Sequence, residues 1–138
     1  RALWLQPHPA FRGRFTSFNN VQAQPRPTQP GGPPIVIGGS SDAALRRTLL
    51  KAQGWYGFAM DEAQVEQVLA RLARLGEQLE RPPELGPLEI SLSPRGALTP
   101  ERIARFAELG VHRLIPLMPQ DSEVAIARWL YSLEPMLG

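Results

Sequence analysis

The sequence predicts an α/β fold made of four successive strand-and-helix units. From residue 34 onward, short apolar runs alternate four times with amphipathic stretches, and each run has the length of a buried strand. Parallel strands joined by helices leave two architectures open, a doubly wound sheet and a barrel. Pro116 cannot donate to a ladder, so the last strand should be bulged, at an edge, or broken near its C-terminal end. The predicted strands are residues 34–38 (PIVIG), 55–59 (WYGFA), 88–93 (LEISLS) and 113–118 (RLIPLM).

The first two helices are marked by capping residues and by apolar stripes. Ser40 or Ser41 can cap the first helix, and Asp61 with Gln64 three residues later has the capping-box pattern for the second. The second helix should end near residues 81–83 (RPP). Apolar residues at three- and four-residue steps predict that each helix buries one face. These inward residues are Leu45, Leu49 and Ala52 in the first helix, and Val65, Val68, Leu69, Leu72, Leu75 and Leu79 in the second.

The third and fourth helices are predicted in the same way. Thr99 caps the third helix, Pro100 takes its first turn, where a missing N–H costs nothing, and Gly110 closes it. The fourth helix should start near Asp121 or Ser122. The residues predicted to face the core are Ile103, Phe106 and Ala107 in the third helix, and Trp129, Leu130 and Leu133 in the fourth.

Two regions of different composition divide the chain. Residues 1–32 are rich in proline and lack a helical period, so they predict an irregular arm with one or two short extended pieces around residues 14–21. Arg and Phe around Gly13 (FRGRF) predict the turn of a two-stranded arm rather than an RNA-binding fragment. Residues 33–138 form the predicted strand-and-helix domain.

The composition narrows the function classes. The 138 residues include 15 basic and 13 acidic side chains, for a formal charge of +2, and they form no basic patch, which argues against nucleic acid. The absence of cysteine excludes disulfides, thiolate zinc and thiol catalysis. No apolar run reaches about 18 residues and no signal-like start is present, so we expect a cytoplasmic protein without a membrane span. No metal-ligand cluster, carboxylate pair or nucleophile with a base is evident, so the catalytic residues stay unknown.

The stretch PPIVIGGSSDAALRR, residues 33–47, carries the clearest candidate site. Gly38 and Gly39 let a backbone approach an anion closely, Ser40 and Ser41 add donors, and the helix that starts there presents unpaired N–H groups. The pattern therefore predicts a phosphate-binding turn. The same residues also fit a sharp strand-to-helix turn with a serine cap.

The third predicted strand offers further candidates. Glu89, Ser91 and Ser93 share one face, opposite the apolar residues of the strand, so in a barrel they would face the interior and make Ser91 and Ser93 mouth residues. Arg95 follows this strand directly and would reach an anionic substrate or a cofactor tail, or else lie solvated in a loop. The aromatic pair at residues 55–56 either lines a barrel mouth or packs beneath helices.

Several segments together resemble the C-terminal half of the bacterial luciferase-like oxidoreductase family, especially its deazaflavin-dependent branch. From about residue 3 to the end they follow the order and spacing of that family, which tends to carry an acidic residue where this chain has Gln53. The resemblance implies strands five to eight of a TIM-type (βα)8 barrel, with the arm as an insertion before the fifth strand. The matching segments are FRGRFTSFNNV, PRPTQPGGPPIVIGGSSDAALRR, GWYGFA, LEISLSPRG and LTPERIARFAELGVHRLI.

The resemblance also implies a function. It indicates a flavin- or deazaflavin-dependent oxidoreductase of the luciferase-like monooxygenase kind that acts on a small-molecule substrate. The cofactor, a deazaflavin coenzyme or FMN, would rest its phosphate on residues 38–41. A half barrel exposes strand edges and interior side chains, so we expect a homodimer or association with the missing N-terminal half, and we expect the isolated chain to be incomplete for catalysis. The alternative is a non-catalytic half-barrel module that dimerises or binds a phosphorylated ligand.

Overall fold

A computed structural model describes residues 1–120 and 122–136. Its backbone contacts divide the chain into two compact units, residues 1–34 and 35–138. The first unit holds a short helix, α1 (Ala2–Leu5), and an antiparallel hairpin of β1 (Phe11–Arg12) and β2 (Ser17–Phe18). The predicted two-stranded arm is therefore confirmed, although its first strand precedes the expected region, and α1, a single turn without a side-chain cap, was not predicted.

The second unit contains four parallel strands that lie in chain order, and each is followed by a helix. The four predicted strand-and-helix units are thus confirmed as a mixed α/β arrangement around one parallel sheet. Residues Ile37, Trp55 and Ile90 lie side by side across the first three strands. The elements are β3 (Val36–Gly38), α2 (Asp42–Lys51), β4 (Gly54–Met60), α3 (Glu62–Gln78), β5 (Glu89–Pro94), α4 (Pro100–Glu108), β6 (Arg113–Leu114) and α5 (Glu123–Leu133), with 3₁₀ turns at Pro83–Leu85 and Glu134–Met136.

The helix starts lie where the sequence predicts them. Ser41 accepts a hydrogen bond from the Ala44 N–H, and Asp61 and Gln64 form the complete capping box at the start of α3. Thr99 and Ser122 cap the last two helices in the same way. Asp121, the other predicted start of the fourth helix, lies outside the described residues. The end of α3 comes earlier than predicted, because the chain is already extended at Leu79 ahead of the two prolines.

The predicted fourth strand is too long. Only Arg113 and Leu114 pair with β5, although the Ile115 N–H still donates to the Leu92 carbonyl at 2.7 Å. The next residue is Pro116, which has no N–H to continue the ladder. The strand therefore breaks there, and because β6 is also an edge strand of the sheet, two of the three outcomes that the proline predicts are found.

Helices α2 and α3 pack against one face of the sheet and form its core. Trp55 is completely buried between them, and the predicted inward residues of α2 are all buried. Two expectations about later helices are wrong, because Ala107 is exposed beside the fully buried Phe106 and Leu130 is exposed on α5. Trp129 and Leu133, the other predicted inward residues of α5, are half-buried. The core residues are Leu45, Leu49, Trp55, Val68, Leu72, Leu75 and Ile90 in one cluster, and Val65, Leu92 and Phe106 in a second.

Candidate functional site

The turn after β3 joins the sheet to α2. Gly39 has φ +95°, a left-handed backbone conformation that strongly favours glycine. Ser40 is exposed, and the Ser41 side-chain oxygen accepts the Ala44 N–H at 3.3 Å. Because the Ser41 hydroxyl acts as an acceptor in this cap, its own proton stays available for donation. The turn therefore combines a required glycine, two hydroxyl groups and the start of a ten-residue helix.

A buried side chain fixes the conformation of this turn. The indole N–H of Trp55 donates a hydrogen bond to the Gly39 carbonyl at 2.9 Å. Trp55, the second residue of β4, lies on the core face, whereas Tyr56 points to the opposite face of the sheet. Trp55 therefore packs beneath helices, as one of the two expectations has it, and both aromatic residues also line the cleft described next.

The turn forms one wall of a cleft of about 290 Å³. Gly38, Gly39 and Ser40 line it together with residues 55–60 of β4, Gln64 and Arg95. This cleft lies where the parallel strands end, the edge of an α/β sheet at which ligands usually bind. The structure thus brings three of the four predicted turn residues together with Arg95, whereas Ser41 caps α2 outside the lining.

Backbone geometry at the end of β4 positions Arg95. The register between β4 and β5 shifts at residues 58–60, and Ala59 at the shift has φ +50°, an uncommon conformation for a residue other than glycine. The Ala59 carbonyl accepts a hydrogen bond from Arg95 Nε at 3.1 Å, and a terminal guanidinium nitrogen lies 4.0 Å from Asp61. Arg95 is therefore held by two contacts while most of its side chain stays exposed to the cleft and solvent.

Ser91 and Ser93 lie on the polar face of the sheet, as the alternation along β5 predicts, but they do not line the cleft. Both are buried. The Ser93 hydroxyl lies 2.7 Å from the Tyr56 hydroxyl, and Ser91 donates to Glu89, which also pairs with Arg113 at 3.1 Å. Their hydroxyls therefore belong to two separate polar contacts, of which the one between Ser93 and Tyr56 involves a residue of the cleft lining.

The local charges at the turn favour an anion more than the sequence suggests. Asp42 stands in the first turn of α2, where a free carboxylate would repel a bound phosphate. Its carboxylate is instead bonded by Arg71 on α3 at 2.5 Å. The hydrogen bond and charge of Arg71 hold the pKa of Asp42 below its usual range. The negative charge is thus paired away from the turn, and Arg95 is the cation that lines the cleft.

Five contributors to this site were not predicted from the sequence. Gln64 is predicted only as a capping residue, and residues 57–60 only follow the predicted aromatic pair in or directly after the strand, yet all five line the cleft. The signal for a bulge was present in the sequence, because Gly57 interrupts an apolar run and glycine inside a strand is typical of bulges and close approaches. No group of three or more potential metal ligands occurs within residues 1–120 and 122–136.

A strand-end cleft walled by a glycine turn and an arginine is typical of α/β proteins that bind phosphorylated ligands. The family model of luciferase-like monooxygenases matches residues 1–120, and the chain belongs to that family. Across the described part of the chain, no helix has both the length and the apolar character required to span a bilayer.

Comparison with individual relatives shows what share of their length this chain covers. An uncharacterized protein of Mycobacterium tuberculosis (strain ATCC 25618 / H37Rv) is 33% identical over 105 residues, which are 76% of this chain and 34% of the relative. A second one from the same strain is 27% identical over 140 residues, 100% of this chain and 47% of the relative. The FMNH(2)-dependent dimethylsulfone monooxygenase of Pseudomonas fluorescens (strain Pf0-1) is 37% identical over 78 residues, 53% of this chain and 21% of that enzyme. The chain thus spans less than half the length of these relatives.

Proposed function

We propose that this chain is the C-terminal half of a flavin- or deazaflavin-dependent oxidoreductase and contributes its cofactor phosphate site. The observation that carries the proposal is the cleft in which the turn at Gly38, Gly39 and Ser40 lies together with Arg95. FMN is the first cofactor to consider, since one relative is named as FMNH(2)-dependent. A deazaflavin coenzyme is the second, on the resemblance to that branch of the family.

The donor set suits a phosphate group. The Ser40 N–H and hydroxyl are hydrogen-bond donors in the cleft lining, and the Arg95 guanidinium supplies a positive charge. The start of α2 follows directly after the lining, with its Ala44 N–H already bonded to Ser41. A Cβ at Gly38 would lie 3.6 Å from the Tyr56 carbonyl oxygen, which is an ordinary contact, and Gly38 lacks a positive φ. Packing therefore does not require glycine at residue 38. The absence of a side chain at Gly38 instead leaves the end of the strand open to a ligand.

The N-terminal half of the protein would supply the rest of the active site. The bound cofactor provides the hydride or oxygen chemistry, and the protein positions and shelters it. In this chain the turn and Arg95 anchor the phosphate, and the Tyr56 hydroxyl, bonded to Ser93, presents a polar group toward the same cleft. We assign these residues to binding and orientation.

We further propose that the sheet is half of a (βα)8 barrel. Strands β3 and β6 are the two edges of the four-stranded sheet, and each has an unpaired side. Another four-stranded half would close both edges. We propose either the N-terminal half of the same protein or a second copy of this chain for that role.

Native mass spectrometry with FMN, and then with the deazaflavin coenzyme, tests the phosphate site and the subunit count together. We expect one cofactor per chain, and we expect the double variant Gly39→Val and Ser40→Ala to lose it, because valine cannot readily adopt φ +95°. Gly110→Val is the matched control, since Gly110 has φ +88° at the end of α4, away from the cleft. Equal cofactor binding by the double variant, or none by the native chain, would overturn the assignment.

A further inference from the structure

We propose that Trp55 is a positioning residue for the cofactor phosphate: its indole N–H holds the Gly39 carbonyl and thereby directs the neighbouring Ser40 N–H outward. This inference rests on the proposed phosphate site and adds a residue to it. Trp55 is not itself placed against the phosphate in this proposal. It acts through the peptide between residues 39 and 40.

Trp55 is suited to hold the turn because it is itself immobile. Its side chain is completely buried among core residues of α2 and α3, so the ring cannot change its direction without disturbing the core. From that position its single polar atom reaches 2.9 Å to the Gly39 carbonyl, 16 residues earlier in the chain. A rigid core thus determines the position of one carbonyl in an exposed turn.

The geometry of the peptide group carries this constraint to the binding side. The peptide bond between Gly39 and Ser40 is trans, so the Gly39 C=O and the Ser40 N–H point in opposite directions. Because the carbonyl points to the indole, the Ser40 N–H must point away from it. Rotation of this peptide would turn the carbonyl oxygen outward, and a partial negative charge would then face the phosphate.

Gly57 provides the space that lets the indole reach the turn. A Cβ at Gly57 would lie 2.6 Å from Trp55 Cη2, 2.8 Å from Met60 Sδ and 3.0 Å from Leu92 Cδ1. The first two distances are shorter than real Cβ contacts, and the indole is fully buried, so a side chain at residue 57 would displace the ring. Trp55 and Gly57, two residues apart on β4, therefore act together to hold the turn.

A purely structural role predicts a different response from a positioning role. If the hydrogen bond only satisfies a buried indole N–H, its loss destabilises the fold and weakens every ligand alike. If it directs the Ser40 N–H, its loss weakens ligands that carry the phosphate and spares those that lack it. FMN and riboflavin share the ring system and differ by the phosphate, so the ratio of their dissociation constants separates the two cases.

The experiment measures Kd for FMN and riboflavin by fluorescence titration of the native chain and of Trp55→Phe, which removes the N–H and keeps an aromatic ring. We expect native FMN binding to be tighter than riboflavin binding and Trp55→Phe to reduce that preference about tenfold, the low end of what a hydrogen bond to a charged group contributes. Trp129→Phe on α5 and Leu72→Val in the same core cluster are controls that should preserve the preference. If Trp55→Phe does not fold, incorporation of benzothienylalanine at residue 55 removes the N–H at nearly constant shape.

The outcomes distinguish the two proposals. If the native chain binds FMN no more tightly than riboflavin, both the proposed phosphate site and the positioning role of Trp55 are overturned. A native preference that Trp55→Phe or the benzothienyl analogue leaves intact overturns the positioning role alone. A preference that falls in these variants and persists in both controls supports the inference.

Discussion

Replacing Arg81 by methionine should destabilise the second unit strongly, because this side chain ties together three segments of backbone. Its five N–H groups all donate to carbonyl oxygens: Nε to Gly86, one terminal nitrogen to Thr48 and Leu49, and the other to Ala52 and Leu85. These five carbonyl groups belong to three regions of the backbone. Thr48 and Leu49 lie in the last turn of α2, Ala52 is the residue that caps it, and Leu85 and Gly86 end the 3₁₀ turn before β5. Carbonyls at a helix C-terminus otherwise lack partners.

The magnitude follows from the shorter of these bonds. Three of them, to Gly86, Leu49 and Ala52, measure 2.8, 2.9 and 3.0 Å, and each contributes about 1 kcal/mol net. The larger contribution that is typical of charged donors does not apply to Arg81, because burial lowers its pKa and desolvation of the guanidinium offsets part of the gain. The expected loss is about 3 kcal/mol, a large part of the typical stability of a domain.

Urea unfolding followed by circular dichroism measures this loss. Arg81→Lys should recover only a minor part of it, since one ammonium group cannot span the same carbonyls as the planar guanidinium. Arg47→Met on the exposed side of α2 is the control and should change the free energy of unfolding by less than about 0.5 kcal/mol. A loss below about 1 kcal/mol for Arg81→Met, or one equal to that of the control, would refute the reasoning.

The remaining predictions concern a buried hydroxyl, an ion pair and a glycine. Thr48→Val should raise the free energy of unfolding by about 1 kcal/mol in urea, because the buried Thr48 hydroxyl has no partner in the described structure; a decrease would contradict this. The hydrogen bond from Arg102 holds the pKa of Glu62 below its ordinary 4.5, so its stabilisation is present above pH 4.5 and is lost as the pH falls through the lower folded-state pKa. When unfolding is measured between about pH 6 and about pH 3, the Glu62→Gln variant should show a flatter dependence of stability on pH than the native chain, and an unchanged dependence would count against the pair. Gly57→Ala should displace Trp55 and weaken FMN binding more than riboflavin binding in the same titration, whereas equal weakening would mean a general disruption.

The local elements of this chain are largely predictable from sequence. Asp61 and Gln64 specify the start of α3, Thr99 with Pro100 specifies the start of α4, and Pro116 limits β6. These signals act over three or four residues, so they need no knowledge of the tertiary fold. The boundaries that were missed, such as the end of α3, lie where no single residue requires the helix to stop.

The sequence by itself determined the parallel α/β class, the helix caps and the glycine-serine turn at residues 38–41. Only the tertiary structure decided that Arg95 meets this turn in one cleft, that Trp55 holds its carbonyl, and that Ser91 and Ser93 lie buried outside it. Arg81 is the same kind of case, since three of its acceptors lie 29 to 33 residues away. The physical reason is that such contacts depend on strand register and on the bulge at Ala59, which place distant side chains together, whereas caps and turns depend on the residues beside them.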